Sequence, residues 1–198
     1  MRGYALGVSG ERVIVWREVM LEEIVLPETK PETEWVRGRA VQKVSPTRNH
    51  ARLQLVFAAA LDVWAAGRGE VGTEWRFRVG PPGERRRPLV PDVAFVRSAQ
   101  LSELSDADMQ TPALAPTVAI EILSPDDNRK DVASKIDVYL RAGTELVVVI
   151  DPRSRTMTLH DSTGTKTLSH TDVFKHAALP DFELSLEWLF SKALDRSL

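Results

Sequence analysis

Apolar positions along the chain follow two rhythms, and the switches between them mark out the elements. Leu53, Phe57, Ala60, Leu61 and Trp64 recur at spacings of four, three, one and three, which puts them on one face of a helix. Ser45-Pro46 predicts the cap and first turn of that helix, and Gly67 its stop. His50 precedes Leu53 by three residues and shares the inward face. A second helix is predicted between Asp126 and Arg141 from Val132, Ile136, Tyr139 and Leu140, with Gly143 placed to end it in a left-handed conformation. A third, short helix is expected near Leu186 to Leu194.

The other rhythm is that of strands. Trp35 to Val44 reads as a strand or hairpin arm after a polar, proline-bearing connection from Pro27 to Glu34. Glu70 to Val79 alternates, with Val71, Thr73, Trp75, Phe77 and Val79 on one side and Glu74, Arg76 and Arg78 on the other; Pro81-Pro82-Gly83 makes the turn that follows. Val90 to Val96 and Thr117 to Leu123 are short apolar strands joined by a polar crossing segment, Ser98 to Pro116. Glu145 to Ile150 is strongly apolar, as suits a strand covered on both faces, and the strand-helix-strand order around it predicts a crossover unit. Met157 to His160 and Lys166 to Ser169 predict a hairpin around Ser162-Thr163-Gly164, and Arg12 to Trp16 a short strand near the start. The fold class that emerges is α/β, a mixed sheet flanked by helices.

The 198 residues suffice for one well-buried core, so a single domain over 1–198 is expected, with 1–33 an N-terminal extension. A composition 43% hydrophobic and 27% charged is that of an ordinary globular protein, and no apolar run is long enough to span a bilayer. Met1 to Gly10 lacks the order of a secretory signal, which makes the cytoplasm the expected location. The absence of cysteine removes disulfides, thiolate nucleophiles and cysteine-bound zinc. His50, His160, His170 and His176 include no pair at the helical spacing of a zinc site. A net charge of −2 argues against coating nucleic acid by bulk electrostatics. The local run Arg76, Arg78, Arg85, Arg86 and Arg87 is either a nucleic-acid contact or a solvated hairpin tip.

The chemistry points to Asp92, after Pro91, and to Glu121, with 28 residues between them. Glu121 stands inside the apolar strand Val118-Ala119-Ile120-Glu121-Ile122-Leu123, where an ionised side chain is costly unless paired or metal-bound. An aspartate, a glutamate and the Ile122 carbonyl would give Mg²⁺ or Mn²⁺ hard oxygen ligands, with positions left for water and a substrate phosphate. Lys135, on the following helix, would orient the water or balance charge on the phosphate. Asp131 and Tyr139 lie one step of four on either side of Lys135 and so share its face. Taken singly, each has an ordinary explanation: a turn for Pro91-Asp92, a solvated helix position for Lys135, a structural histidine for His50.

Together these segments resemble the Uma-two family of restriction-endonuclease-like proteins, within the PD-(D/E)XK nuclease superfamily, from about Glu34 to Phe190. The matching stretches are Glu34-Trp35-Val36-Arg37-Gly38-Arg39-Ala40-Val41, Ser45-Pro46 with His50, Pro91-Asp92-Val93-Ala94-Phe95-Val96, Glu121-Ile122-Leu123-Ser124-Pro125, the set Asp131, Lys135, Tyr139 and Ala142-Gly143, and Val149-Ile150-Asp151-Pro152. The resemblance implies a restriction-endonuclease-like core, Asp92 and Glu121 as its acidic pair with Glu34 as an accessory, and a Mg²⁺-dependent endonuclease acting on DNA as a homodimer. The superfamily's lysine is expected two residues after the glutamate, where this chain has Leu123; Lys135 is inferred to supply the amine instead. Two other readings remain: a catalytically silent module of the same fold that binds nucleic acid or a protein, and a dimerisation protein using faces around Trp35, Trp75 and Trp188.

Overall fold

The computed structural model describes residues 23–195; the strand expected at Arg12 to Trp16 lies outside them. A six-stranded mixed sheet forms the centre, in the order β10-β9-β8-β7-β6-β3. Its strands are β3 (Gly69–Thr73), β6 (Val93–Arg97), β7 (Val118–Ile122), β8 (Leu146–Asp151), β9 (Thr156–Asp161) and β10 (Gly164–Leu168). Only β7 and β8 run parallel, and helix α4 (Arg129–Arg141) is the connection that a parallel pair requires. The remaining pairs of the sheet are antiparallel.

Side-chain parity divides the two faces. Val93, Phe95, Val118, Ile120, Ile122, Leu146, Val148 and Ile150 point into a core shared with α1 (Arg48–Ala65), α5 (Leu186–Leu194) and the hairpin of β11 (Val173–His176) and β12 (Leu179–Ser185). Ala94, Val96, Ala119 and Val147 point the other way, against Val138 and Tyr139 of α4 and the small β4–β5 sheet (Phe77–Val79, Arg87–Leu89). Both faces are therefore covered, which is why Leu146 to Ile150 is buried throughout. Two further hairpin strands, β1 (Thr33–Val36) and β2 (Arg39–Gln42), lie at the α4 end.

Several local expectations shift. Thr47, not Ser45, caps α1, its hydroxyl accepting from the His50 N–H; its extended backbone leads directly into the helix at Arg48. The strand expected over Glu70 to Val79 is two strands. Glu74 between them is left-handed, at φ 51°, and the Trp75 ring folds back over Gly72, where an added Cβ would lie 2.9 Å from it. The alternating pattern persists through this break because Phe77 and Val79 are buried in a different sheet from Val71. Pro91 likewise separates β5 from β6, since it has no N–H for a ladder. The crossing segment Ser98 to Pro116 carries two short helices, α2 (Ser98–Leu101) and α3 (Asp106–Gln110). The β11–β12 hairpin lies where no strand is expected; Pro180 and Asp181 put two exposed residues in a row within β12 and break its alternation.

Candidate active site

Parity places the acidic pair. Glu121 points to the same face of β7 as Ala119, toward α4, while its neighbours Ile120 and Ile122 enter the opposite core. Val93 pairs with Ile120 across the β6–β7 ladder, so one further step sets Asp92 opposite Glu121, on the same face. Asp92 itself stands one residue ahead of β6 rather than within it. Its Oδ2 accepts from the Ile122 N–H at 2.6 Å and lies 3.1 Å from His50 Nε2. Its backbone carbonyl accepts from Gln54 Nε2 at 2.8 Å.

From the far side α4 delivers Lys135. Its Nζ donates to Glu121 Oε2 at 2.7 Å and straddles the Glu34 carboxylate, 2.9 Å from Oε1 and 3.0 Å from Oε2. Glu34 is fixed in turn by the Val90 N–H, 2.7 Å from Oε1. Tyr139, one turn along α4, places its hydroxyl 3.4 Å from Glu121 Oε1. Asp131, one turn back, lies at the cleft and pairs with Arg37 at 3.3 Å and Arg39 at 2.6 Å. The three residues do share one edge of the helix, but it descends from the rim into the interior: Lys135 and Tyr139 are buried.

Lys43 is the member that sequence reading missed. Its Nζ reaches Asp92 Oδ1 at 2.7 Å, Glu74 Oε2 at 2.8 Å and the Val90 carbonyl at 3.0 Å. The available signal was alternation past the end of β2, since Lys43 shares its side of the strand with the inward-packed Val41. Glu74 and Gln54 were also missed. They are bonded to each other at 3.0 Å, and Gln54 sits beside the helical face that the apolar spacing defined.

Three buried carboxylates, Glu34, Asp92 and Glu121, thus face two ammonium groups. Burial would raise Asp92, but Lys43 and the His50 hydrogen bond outweigh it and hold the carboxyl well below its ordinary range. Glu121 goes the other way. Burial, with Asp92 and Glu34 nearby, pushes it up to about 8 against the pull of Lys135. Burial opposes the charge on Lys135, yet Glu121 and Glu34 keep its proton affinity above the ordinary value. Lys43 is raised in the same way by Asp92, Glu121, Glu34 and Glu74. Tyr139 is raised well above 10 by burial and by Glu121, and stays neutral.

The surplus carboxylate and hard oxygen donors suit a divalent cation. Asp92 and Glu121 are the residues that would hold it, beside Ile122, which lines the same cleft of about 170 Å³. A wider cavity of about 520 Å³ shares Leu123, Ser124, Asp127 and Val132 with this cleft. Arg129 and Arg153 flank it, and neither enters an ion pair among the described residues. The arginines singled out from sequence lie elsewhere. Arg76 pairs with Glu32, Arg78 with Glu23 and Arg87 with Glu84, and none of these, nor Arg85 or Arg86, lines the cleft.

A family model described as "Putative restriction endonuclease", Uma2 (Uma-two), matches residues 21–190. The chain belongs to the Uma2 family. The solved structures similar to this Uma2 chain include one entitled a putative nuclease belonging to DUF820, from Anabaena variabilis ATCC 29413. It is 25% identical, with a TM-score of 0.76 over 85% of this chain and 95% of that one. No curated protein matches. Family and fold together support a nuclease-type function for this Uma2 protein, and no helix among the described residues is long and apolar enough to cross a membrane.

Proposed function

We propose that the chain is a Mg²⁺- or Mn²⁺-dependent endonuclease that hydrolyses phosphodiester bonds of DNA. The observation that carries this reading is the convergence of Asp92, Glu121 and Lys135 on one buried cleft, from a loop, a strand and a helix. Asp92 and Glu121 would hold the cation, which when bound would supply positive charge to the phosphate and acidify an attacking water. The rest is done by the chain. The Ile122 N–H and His50 fix the Asp92 carboxylate, so its oxygens are oriented before substrate arrives. Glu34 anchors Lys135, whose retained charge lies 2.7 Å from Glu121 and balances charge building on the phosphate. Tyr139, neutral and buried, limits the swing of Glu121. Arg129 and Arg153, at the adjoining cavity, supply cations for flanking phosphates. Since one cleft cuts one strand and duplex strands are related by two-fold symmetry, a homodimer belongs to the proposal.

Cleavage of labelled DNA and RNA duplexes with Mg²⁺ or Mn²⁺ tests it, with Asp92→Asn as the control. DNA should be cut by the parent alone, and an Asp92→Asn protein as active as the parent would refute the assignment. The saturation of Asp92 and Glu121 by ammonium, N–H and imidazole donors favours a second reading, a nuclease-fold module that binds without cutting. Metal-independent DNA binding without cleavage by the folded parent would select it.

A further inference from the structure

The Lys43 side chain ends in a built site. Its own backbone is fixed where its N–H donates to the Glu32 carbonyl at 2.8 Å. Around Nζ stand three oxygens, Asp92 Oδ1 at 2.7 Å, Glu74 Oε2 at 2.8 Å and the Val90 carbonyl at 3.0 Å. Two carboxylates and a carbonyl are the donor class that Mg²⁺ and Mn²⁺ take. The cage is also held from behind: Gln54 Nε2 bonds Glu74 Oε1 at 3.0 Å, and the Glu74 N–H reaches the Asp92 carbonyl at 3.3 Å. Glu74 takes up a left-handed backbone to stand there. Among the described residues, no set of three or more acidic or histidine side chains forms a metal site. Between Asp92 and Glu74 an ammonium group stands where a cation would be held.

We propose that Lys43 is a resident cation in the oxygen cage beside Asp92, and that it and a divalent metal exclude one another there. This rests on the reading of Asp92 and Glu121 as the cation-holding pair. With Lys43 on Oδ1 and the Ile122 N–H and His50 on Oδ2, the Asp92 carboxylate keeps at most one lone pair, and a metal taking it at the ~2.0–2.1 Å that Mg²⁺ demands would stand directly against the ammonium. The two positive charges would also repel. Metal entry therefore requires Lys43 to withdraw, and the half-exposed Glu74 carboxylate marks the way out, with an acceptor at the rim of the cleft. Lys43 is then a positioning residue: it holds the Asp92 carboxylate in place while the cleft holds no metal.

The test is Mn²⁺ binding by the full chain, followed by calorimetry and by electron paramagnetic resonance, for the parent, Lys43→Met and Lys43→Arg. Removing a unit charge a few ångströms from a dication is worth at least a factor of ~10 in affinity even at surface-like screening. Lys43→Met should therefore bind Mn²⁺ at least tenfold more tightly than the parent, and Lys43→Arg should resemble the parent. Equal affinities of Lys43→Met and the parent would overturn the proposal. Should Lys43→Met fail to fold, the side-chain ammonium resonance of Lys43 in the parent decides. It should shift or vanish on titration with Mg²⁺, and an unperturbed signal at the highest Mg²⁺ tested overturns the idea. DNA cleavage is scored separately: a parent that never cuts DNA sinks the nuclease reading and leaves the competition intact, whereas unchanged Mn²⁺ affinity sinks only the competition.

Discussion

Replacing Glu121 with glutamine should make the protein more stable, and increasingly so as pH rises. Glu121 is 7% exposed, and burial beside Asp92 and Glu34 moves its proton affinity from the ordinary 4.5 up to about 8. The folded state thus binds this proton more tightly than the unfolded chain does. The sign follows: between about pH 4.5 and 8 the folded state holds more protons, so stability is lost as pH rises through that window. At about 1.4 kcal/mol per tenfold in proton affinity, the gap sets a ceiling of ~5 kcal/mol. Relaxation and water entry reduce such ceilings, and ~2 kcal/mol is the expected penalty. Glutamine keeps the shape and cannot ionise. For a chain of this size ~2 kcal/mol corresponds to about 4–8 °C in Tm. Thermal unfolding of the parent and Glu121→Gln in EDTA, from pH 5 to 9, measures it. The two Tm values should nearly coincide at pH 5 and differ by several degrees at pH 8.5, with Mg²⁺ narrowing the difference. Parallel curves across the whole range would refute the account of Glu121 as a frustrated buried carboxylate.

Lys135→Met should cost ~3 kcal/mol in denaturant unfolding, because it leaves Glu34 and Glu121 buried without their shared partner; a loss below ~1 kcal/mol would show that water reaches both carboxylates. That burial also overturns the solvated helix position as the ordinary reading of Lys135, and Lys135→Ala should lose stability together with cleavage. Lys130→Ala, at an exposed position of the same helix, should change stability by no more than ~0.5 kcal/mol. Thr47→Ala should cost ~1 kcal/mol through loss of the α1 cap while Ser45→Ala costs little, and the reverse order would place the cap at Ser45.

Much of this architecture can be read from the residues. The apolar runs Val118 to Ile122 and Leu146 to Ile150, with helical spacing between them, dictate the β7-α4-β8 crossover at the centre of the sheet. Glu121 announces itself because nothing else in that run is polar. What the linear pattern does not carry is the closure of the site from outside the sheet. Glu34, His50 and Lys43 arrive from a hairpin, a helix start and the link between them, and their convergence depends on how those pieces dock on the strand ends. Lys43 resembles any surface lysine until its partners are known. Glu74 follows an alternating pattern across a backbone break that only a left-handed conformation reveals. The arginine run misleads for a related reason: Glu23, Glu32 and Glu84, near or far in sequence, take up Arg78, Arg76 and Arg87. Of the three tryptophans considered for a dimerisation face, Trp188 is exposed, at 48%, while Trp35 and Trp75 are half-buried.

The central claim, that this cleft cuts phosphodiester bonds with Asp92, Glu121 and a divalent cation, is met most directly by plasmid cleavage. Supercoiled DNA is incubated with the parent and with Glu121→Gln, in Mg²⁺, in Mn²⁺ and in EDTA, after circular dichroism has shown both proteins folded. The account predicts nicked and linear DNA from the parent with metal, and none from Glu121→Gln or in EDTA. Intact plasmid with the folded parent in both metals, or equal cleavage by Glu121→Gln, would contradict it.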